Sequence, residues 1–312
     1  KVLGLIMAGG KGERLYPLTR DRAKPSVPFG GKYRIVDFVI SNFINSGIHS
    51  LYILTQFKSQ SLTEHIRSTW KIGSLIRDHF VVTVPAQMQR GASWYRGTAD
   101  AIRQNLDLVM HSDSDVVAVF GADHIYRMDI GQMVDYHLKK NADITIASLP
   151  VPRREAHSFG TIKVDGNWKV LGFQEKPSRP PPIPGDRDRT LASMGNYLFS
   201  TSVLHDILEG SPARRKWMDF GTDILPRLHK KGRVFADDFN NNIIPGMLEG
   251  EQNSYWRDVG TIEAYYAANM ELRSVTPPLN LYNNDWPSIT YAAAAPPPQF
   301  VLHDHQRPAH ST

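Results

Sequence analysis

Val2-Leu3-Gly4-Leu5-Ile6-Met7-Ala8-Gly9-Gly10-Lys11-Gly12-Glu13-Arg14-Leu15, with Lys24-Pro25 close behind, is the stretch from which the rest of the chain can be read. Val2 to Ala8 is an apolar run with almost no polar interruption, the pattern of a buried parallel strand. It passes directly into Gly9, Gly10 and Gly12. With no side chains there, the backbone can turn sharply and bring its N–H groups close to an anion, while Lys11, Arg14 and Lys24 add positive charge. A polyanionic ligand is expected. Glycines after a strand also serve ordinary tight turns, so the spacing has to decide. No Gly-Lys-Ser/Thr follows, and Gly9-Gly10-Lys11-Gly12 does not fit G-x-G-x-x-G, which demotes both the P-loop and the dinucleotide turn.

Beyond the turn, Ile35 to Ile44 has near-helical apolar spacing and stops at Asn45-Ser46-Gly47. Leu51 to Thr55 reads as a strand, Ser59 to Trp70 as a helix and Phe80 to Val84 as another strand. Alternation of this kind implies a parallel sheet. Thr98 is placed to cap a helix whose stripe is Ile102, Leu106, Val109 and Met110. Val116 to Phe120 is a further buried strand ending in Gly121-Ala122-Asp123-His124, so Asp123 lies just past the C-terminal end of a central strand, where open α/β sheets bind ligands. A helix over Ile130 to Lys140 leads to a strand over Ile144 to Leu149. After that the alternation breaks. Phe159 to Val164 and Val170 to Gln174 read as a hairpin around Asp165-Gly166-Asn167, and Asn196 to Ser200 as a strand. Pro177 to Asp188 reads as a surface loop. Helices over Thr201 to Glu209, Thr222 to Lys231 and Thr261 to Arg273, with a strand over Arg233 to Asp237, complete a catalytic domain expected to span 1–275. Residues 276–312, with Pro277-Pro278, the alanine run Ala292 to Ala295 and Pro296 to Pro298, read as an extended linker.

Composition narrows the class. The 312 residues are 41% hydrophobic and 21% charged, as in a soluble globular protein. The absence of Cys removes disulfides and thiolate metal sites and fits a cytoplasmic protein. No apolar run reaches membrane-spanning length, so no membrane partner is expected. The net charge of +5 could attract nucleic acid, but the basic residues are scattered, with brief clusters at Lys139-Lys140, Arg153-Arg154 and Arg214-Arg215-Lys216. Small anionic substrates account for the charge equally well, and no nucleic-acid partner is expected.

Three further constellations could carry chemistry. Gln87 and the run Trp94-Tyr95-Arg96-Gly97-Thr98-Ala99-Asp100 lie at a strand-to-helix transition where a base could stack, although aromatic residues at a loop more often cover the core. Lys176, in Glu175-Lys176-Pro177, could hold a phosphate, although an exposed Lys is usually only solvated. Trp256-Arg257-Asp258-Val259-Gly260-Thr261 offers a second carboxylate, which could equally be a cap. His303, His305 and His310 have no metal-site spacing.

Ala8-Gly9-Gly10-x-Gly12-x-Arg14-Leu15-x-Pro17-Leu18-Thr19 followed by Lys24-Pro25 resembles the N-terminal motif of the sugar-phosphate nucleotidyltransferases. Gly30 to Asp37, Trp94 to Ile102, Asp123 to Tyr126, Phe159-Gly160, Phe173 to Pro177, Leu191 to Phe199, Asp219 to Asp223 and Tyr255 to Thr261 follow in that family's order. Over essentially its whole length the chain resembles the glucose-1-phosphate adenylyltransferases, or ADP-glucose pyrophosphorylases. The fold this implies is α/β: a Rossmann-like nucleotidyltransferase domain with a mainly parallel mixed sheet. A C-terminal left-handed β-helix follows in full-length members and is absent here, and Trp286-Pro287 and Pro298 to Val301 match the approach to it. The resemblance also implies a homotetramer at full length, and sugar-phosphate and adenylate effectors.

Carried over by motif, the turn of Gly9, Gly10 and Gly12 with Arg14 and Lys24 should hold the ATP phosphates, and Gln87 with Gly97 and Thr98 should meet adenine. Asp123 and Asp258 should share Mg²⁺. Lys176 should hold the phosphate of glucose 1-phosphate, with Tyr95, Gly160, Glu175, Ser193, Asp219 and Trp256 placing the sugar. Arg14, Lys24 and Asp123 are the implied catalytic residues. Glu13, Ser26 and the Gly121-Ala122 order depart from the usual pattern without touching a charged catalytic position. Asp21 stands where many members activated by sugar phosphates carry a basic residue, which implies weak activation.

The implied reaction transfers the adenylyl group of ATP to glucose 1-phosphate. A sugar phosphate is largely ionised near pH 7, its second pKa being about 6, so its oxygen can attack without a general base. Uridylyl or thymidylyl transfer is the nearest alternative, and a non-catalytic regulatory subunit of the same fold is another. A dinucleotide-dependent dehydrogenase is disfavoured by the glycine spacing.

Overall fold

A computed structural model describes residues 1–72, 78–88, 93–210, 216–228, 232–247, 251 and 253–291. The backbone of 300–301 and 310–311 is also described, pairing as two antiparallel strands. Arg214, Arg215, the end of the helix expected to reach Lys231, the run Ala292 to Pro298, His303, His305 and the side chain of His310 lie outside the described residues.

In chain order the strands are β1 Val2–Ala8, β2 Pro28–Phe29, β3 Tyr33–Arg34, β4 Ser50–Thr55, β5 Phe80–Pro85, β6 Val116–Gly121 and β7 His124–Tyr126. They continue as β8 Ile144–Pro152, β9 Gly160–Val164, β10 Val170–Glu175, β11 Arg189–Ser200, β12 Val234–Asp238 and β13 Trp256–Asp258. The helices are α1 Ile35–Asn45, α2 Gln60–Thr69, α3 Thr98–Gln104, α4 Leu106–His111, α5 Ile130–Lys139, α6 Thr201–Glu209, α7 Leu225–Leu228 and α8 Ile262–Glu271.

One mixed sheet carries the fold. From β5 the order runs β4, β1, β6, all parallel, and then β11, which is antiparallel to β6. β11 also pairs antiparallel with β8 and β9; β8 is parallel to β12, and β9 forms the expected hairpin with β10. Alternation along β1 divides the core: Leu3 and Leu5 pack with Ile102, Leu106 and Phe199 on one face, while Ile6 packs with Val36, Ile40, Phe43 and Phe120 on the other. Gly4 lets α1 close on the sheet, because a Cβ there would lie 2.4 Å from Leu51 Cδ2 and 2.9 Å from Phe43 Cε1.

The structure corrects several expectations. The helix from Thr98 breaks at Asn105, whose side-chain amide donates to Ala101 O and to the Tyr95 hydroxyl, both at 2.8 Å. After the break Met110 faces solvent, 50% exposed, rather than continuing the apolar stripe. The helix expected from Thr222 begins instead as a π turn over Phe220–Ile224, capped by Asp219. β11 starts seven residues before Asn196, at Arg189, and a register shift between Ser193 and Tyr197 interrupts its pairing with β8. Apart from these corrections, residues 276–291, expected as part of a linker, carry no helix or strand and lie against the domain. Leu279 and Trp286 are buried, Ile289 N donates to Ser41 Oγ at 2.8 Å, and the Thr290 hydroxyl donates to Asp37 at 2.6 Å.

Candidate functional site

The C-terminal ends of β1 and β6 open into a cleft of about 810 Å³. Because Met7 pairs with Gly121 and Ala122 N donates to Met7 O at 3.2 Å, the glycine turn and Asp123 leave the sheet side by side. Gly12 is left-handed at φ 66°, and a Cβ there would lie 3.1 Å from both Lys24 Cβ and Thr19 Cγ2. The turn is closed from behind by the Thr19 hydroxyl, which donates to Gly12 O at 2.9 Å. Buried Leu15 anchors the single helical turn that carries Arg14 to the cleft wall.

Asp258 reaches the same place by a different route. β13 pairs antiparallel with β7, setting Asp258 opposite His124 and therefore next to Asp123. The Lys24 ammonium lies between the two carboxylates, 3.0 Å from Asp123 Oδ2 and 3.1 Å from Asp258 Oδ1. Burial alone would raise the Asp123 carboxyl, but the His124 ring and the Lys24 ammonium outweigh it and hold the group at about 2. His124 meets Trp256 at a tilt of 47° with ring centres 4.9 Å apart, and Trp256 in turn meets Phe159 edge-on at 5.4 Å. Among the described residues the buried Nδ1 of His124 has no hydrogen-bond partner, its nearest carboxylate oxygen being Asp123 Oδ1 at 3.8 Å. Asp123, His124 and Asp258 offer ligand atoms within 4.8 Å of one another, a grouping that can hold a metal ion.

Across the cleft, two segments are locked together. Gly97 sits against the carbonyl of Met218, where a Cβ would come within 2.3 Å of the oxygen. Ala99 N and Asp100 N donate to that same carbonyl at 2.9 and 3.1 Å. The Thr98 hydroxyl donates to Asp219 Oδ2 at 2.9 Å and accepts from Phe220 N at 3.1 Å. Asp219 Oδ1 meanwhile accepts from Gly221 N at 2.8 Å and from Thr222 N at 3.2 Å. Gly160 leaves room first for the Phe173 ring and then for Glu175, since a Cβ there would lie 2.5 Å from Phe173 Cζ and 3.0 Å from Glu175 Oε2. Burial raises the Glu175 carboxyl, opposed by Lys176 and reinforced by Asp219.

Of the residues singled out by sequence, Gly9, Gly10, Gly12, Arg14, Lys24, Tyr95, Gly97, Thr98, Asp123, Gly160, Glu175, Ser193, Asp219, Trp256 and Asp258 all line this cleft. Two do not. Gln87 is exposed beyond the end of β5, and Lys176 lies next to the cleft with its side chain 61% exposed and Nζ 3.8 Å from Glu175 Oε1. Asp21 is paired with Arg20 at 2.9 Å on the surface. Sequence reasoning overlooked Gln56 and Phe57, which line the cleft just past the end of β4. The strand-end rule that singled out Asp123 applies to them equally. It also overlooked Tyr197 and Phe220, whose placement depends on the β11 register shift and the π turn.

Among the described residues no helix is long and apolar enough to cross a membrane. The family model described as nucleotidyl transferase matches residues 3–275. The chain is 55% identical over 314 aligned residues to a glucose-1-phosphate adenylyltransferase of Thermus thermophilus, covering 98% of this chain and 75% of that protein. It is 50% identical over 307 residues to the enzyme of the same name from Deinococcus radiodurans, covering 96% of this chain and 74% of the relative. A glucose-1-phosphate adenylyltransferase 1 of Vibrio parahaemolyticus is 48% identical over 307 residues, with 98% and 75% covered.

Proposed function

The chain belongs to the nucleotidyl transferase family, within it to the glucose-1-phosphate adenylyltransferases, and on that premise we propose that it transfers the adenylyl group of ATP to glucose 1-phosphate, releasing pyrophosphate and ADP-glucose. The observation that carries this reading is the meeting of Asp123, Asp258 and Lys24 beside the glycine turn, in one cleft whose far wall holds Glu175 and Asp219. One half of such a cleft suits polyphosphate, the other a hydroxylated sugar.

Two polyanions must be brought together and held in line. The N–H groups of Gly9 to Gly12 and the guanidinium of Arg14 serve the triphosphate, and Arg14 neutralises charge building on the departing pyrophosphate. Glu175 and Asp219 accept from sugar hydroxyls, Ser193 accepts from or donates to them, Trp256 packs beside them, and Tyr95, Gly97 and Thr98 frame the base. Lys176, and Gln87 from further away, are assigned to the phosphate of glucose 1-phosphate and to adenine. The attacking phosphate oxygen is already ionised, so no residue has to remove a proton.

The donor set also fits a divalent cation. Two hard carboxylates already share one positive charge, and the His124 ring lies beside both, Nδ1 3.8 Å from Asp123 Oδ1 and Nε2 3.9 Å from Asp258 Oδ1. Mg²⁺ suits carboxylate oxygens with phosphates and waters completing its shell, and bound to Asp123 and Asp258 it would supply charge to offset the phosphates. Residues 1–275 are proposed as the catalytic domain and 276–312 as the linker to a β-helix. Sugar-phosphate and adenylate effectors, a homotetramer at full length and a cytoplasmic location accompany the assignment.

The test is pyrophosphate release with glucose 1-phosphate, Mg²⁺ and, in parallel, ATP, UTP or dTTP. Turnover should be fastest with ATP. Preference for UTP or dTTP would move the assignment to another base, and no turnover with any of them would overturn catalysis.

A further inference from the structure

Away from the cleft, a second hollow of about 270 Å³ lies between α5, β12 and the β9–β10 turn, where Lys169 bridges Phe235 and the Trp168 carbonyl accepts from Ala236 N at 2.9 Å. Its size suits one small ring rather than a nucleotide. Two aromatic side chains, Tyr136 from α5 and Trp168 from the β9–β10 turn, form part of the wall, and Asp237, Asp238 and Asn241 supply the polar groups.

Two features set the hollow apart from ordinary surface. The first is Trp168. The hairpin turn is closed by Trp168 N to Asp165 O at 3.1 Å and Asp165 N to Lys169 O at 3.0 Å, with Trp168 left-handed at φ 65°. That position of a hairpin favours glycine, and a bulky side chain there is disfavoured. Turn chemistry therefore does not account for the indole, which lies half-buried against the core and the hollow. The second is Asp237. Its carboxylate has no hydrogen-bond partner among the described residues, and burial, with Asp238 next to it, pushes it up to about 7. Half-buried rather than sealed, the carboxyl can be reached by a ligand and keeps its acceptor capacity for one.

The remaining lining is already committed. Gln132 bonds Asp129 at 2.9 Å and both the carbonyl and the N–H of Ile243, and Asn242 exchanges two hydrogen bonds with the Asp129 backbone at 2.8 Å. Lys140 holds its ammonium over the rings of Tyr136 and Phe235, at 5.6 and 5.4 Å. Since those rings already face one cation, they are poorly placed to cage another. An anion would meet Asp237 and Asp238. What suits the hollow is a neutral ring with many hydroxyls, able to pack on an indole and to bond carboxyl and amide side chains.

We propose that this hollow is a second small-molecule site that takes a hexose ring, either free or at the end of an oligosaccharide, through Trp168, Asp237 and Asn241. It stands apart from the nucleotidyl-transfer cleft.

The test is calorimetric titration of the full chain with glucose and with maltotriose, using the parent protein, Trp168→Gly and Asp237→Ala. Trp168→Gly suits the left-handed turn but gives up the indole's packing on the core, so its circular dichroism spectrum is compared with the parent's alongside the titration. Binding by the parent, weakened at least tenfold in both variants while pyrophosphate release is unchanged, is the expected result. Tighter binding of maltotriose than glucose identifies an oligosaccharide end, and equal binding a single ring. No binding of either sugar by the parent, or binding undiminished in Trp168→Gly, overturns the proposal. So does a response to tetramethylammonium in place of the sugars.

Discussion

Lys24 and Asp258, 234 positions apart in the sequence, meet at 3.1 Å, and the same ammonium lies 3.0 Å from Asp123. A single buried cation thus holds together two carboxylates that would otherwise repel. If these carboxylates carry the metal, Asp123→Asn and Asp258→Asn should each abolish most turnover while leaving the circular dichroism spectrum unchanged. Near-normal turnover in either variant would sink the metal assignment.

Lys24→Gln separates the structural part of that arrangement from the chemical part. Removing one partner from a buried pair is costly, although water reaches Asp123, whose side chain is 40% exposed, and lessens the penalty. The variant should melt a few degrees below the parent without divalent cation. Mg²⁺ should then raise its Tm more than it raises that of the parent, because it takes over the charge that Lys24 supplied. An equal Mg²⁺ response in both proteins would count against a shared position for ammonium and metal.

How much of this was legible beforehand follows from the kind of signal each part leaves. β1, β4, β6 and α1 announce themselves through continuous or periodic apolar runs, and their observed limits lie within a residue or two of those expected. The Asp123–Asp258 meeting does not, because it depends on β7 and β13, which are three residues each and too short for a pattern to be visible. The break at Asn105 was hidden for another reason: Ile102, Leu106 and Val109 keep helical spacing across it, and only a side-chain amide turned onto the backbone interrupts the helix. Asp219 could be named from its motif, but its grip on Thr98 is a contact between residues 121 apart that no local pattern encodes.

That grip is testable. Thr98→Val keeps the shape but removes the donor to Asp219 and leaves Phe220 N without its acceptor. Asp219 is assigned to the sugar and Thr98 to the base, so the variant should raise KM for both substrates, by roughly tenfold for a lost hydrogen bond to a charged group. A rise for ATP alone would mean that the two half-sites are not joined through this bond.

Lys176→Ala should act on one substrate. Losing a charge-assisted contact worth roughly 1.5–3 kcal/mol would raise the KM for glucose 1-phosphate by about tenfold to a hundredfold, and the exposure of this side chain favours the lower end. Should the ATP KM rise instead, Lys176 has been given to the wrong substrate.

Asp237 provides a stability prediction independent of catalysis. Burial and Asp238 raise its folded pKa to about 7, above the ordinary value of 3.8. Below about pH 4 the group is protonated in both states and has no effect on the folding equilibrium. Between there and about pH 7 the unfolded chain releases the proton while the folded chain keeps it, so stability falls as pH rises, and above about pH 7 the penalty is complete. Its size is on the order of a few kcal/mol. Asp237→Asn, which cannot ionise, should therefore raise Tm relative to the parent far more at about pH 8 than at about pH 4. Thermal melts of both proteins at the two pH values measure the difference, and an equal shift at both would show that Asp237 carries no such burden in the folded chain.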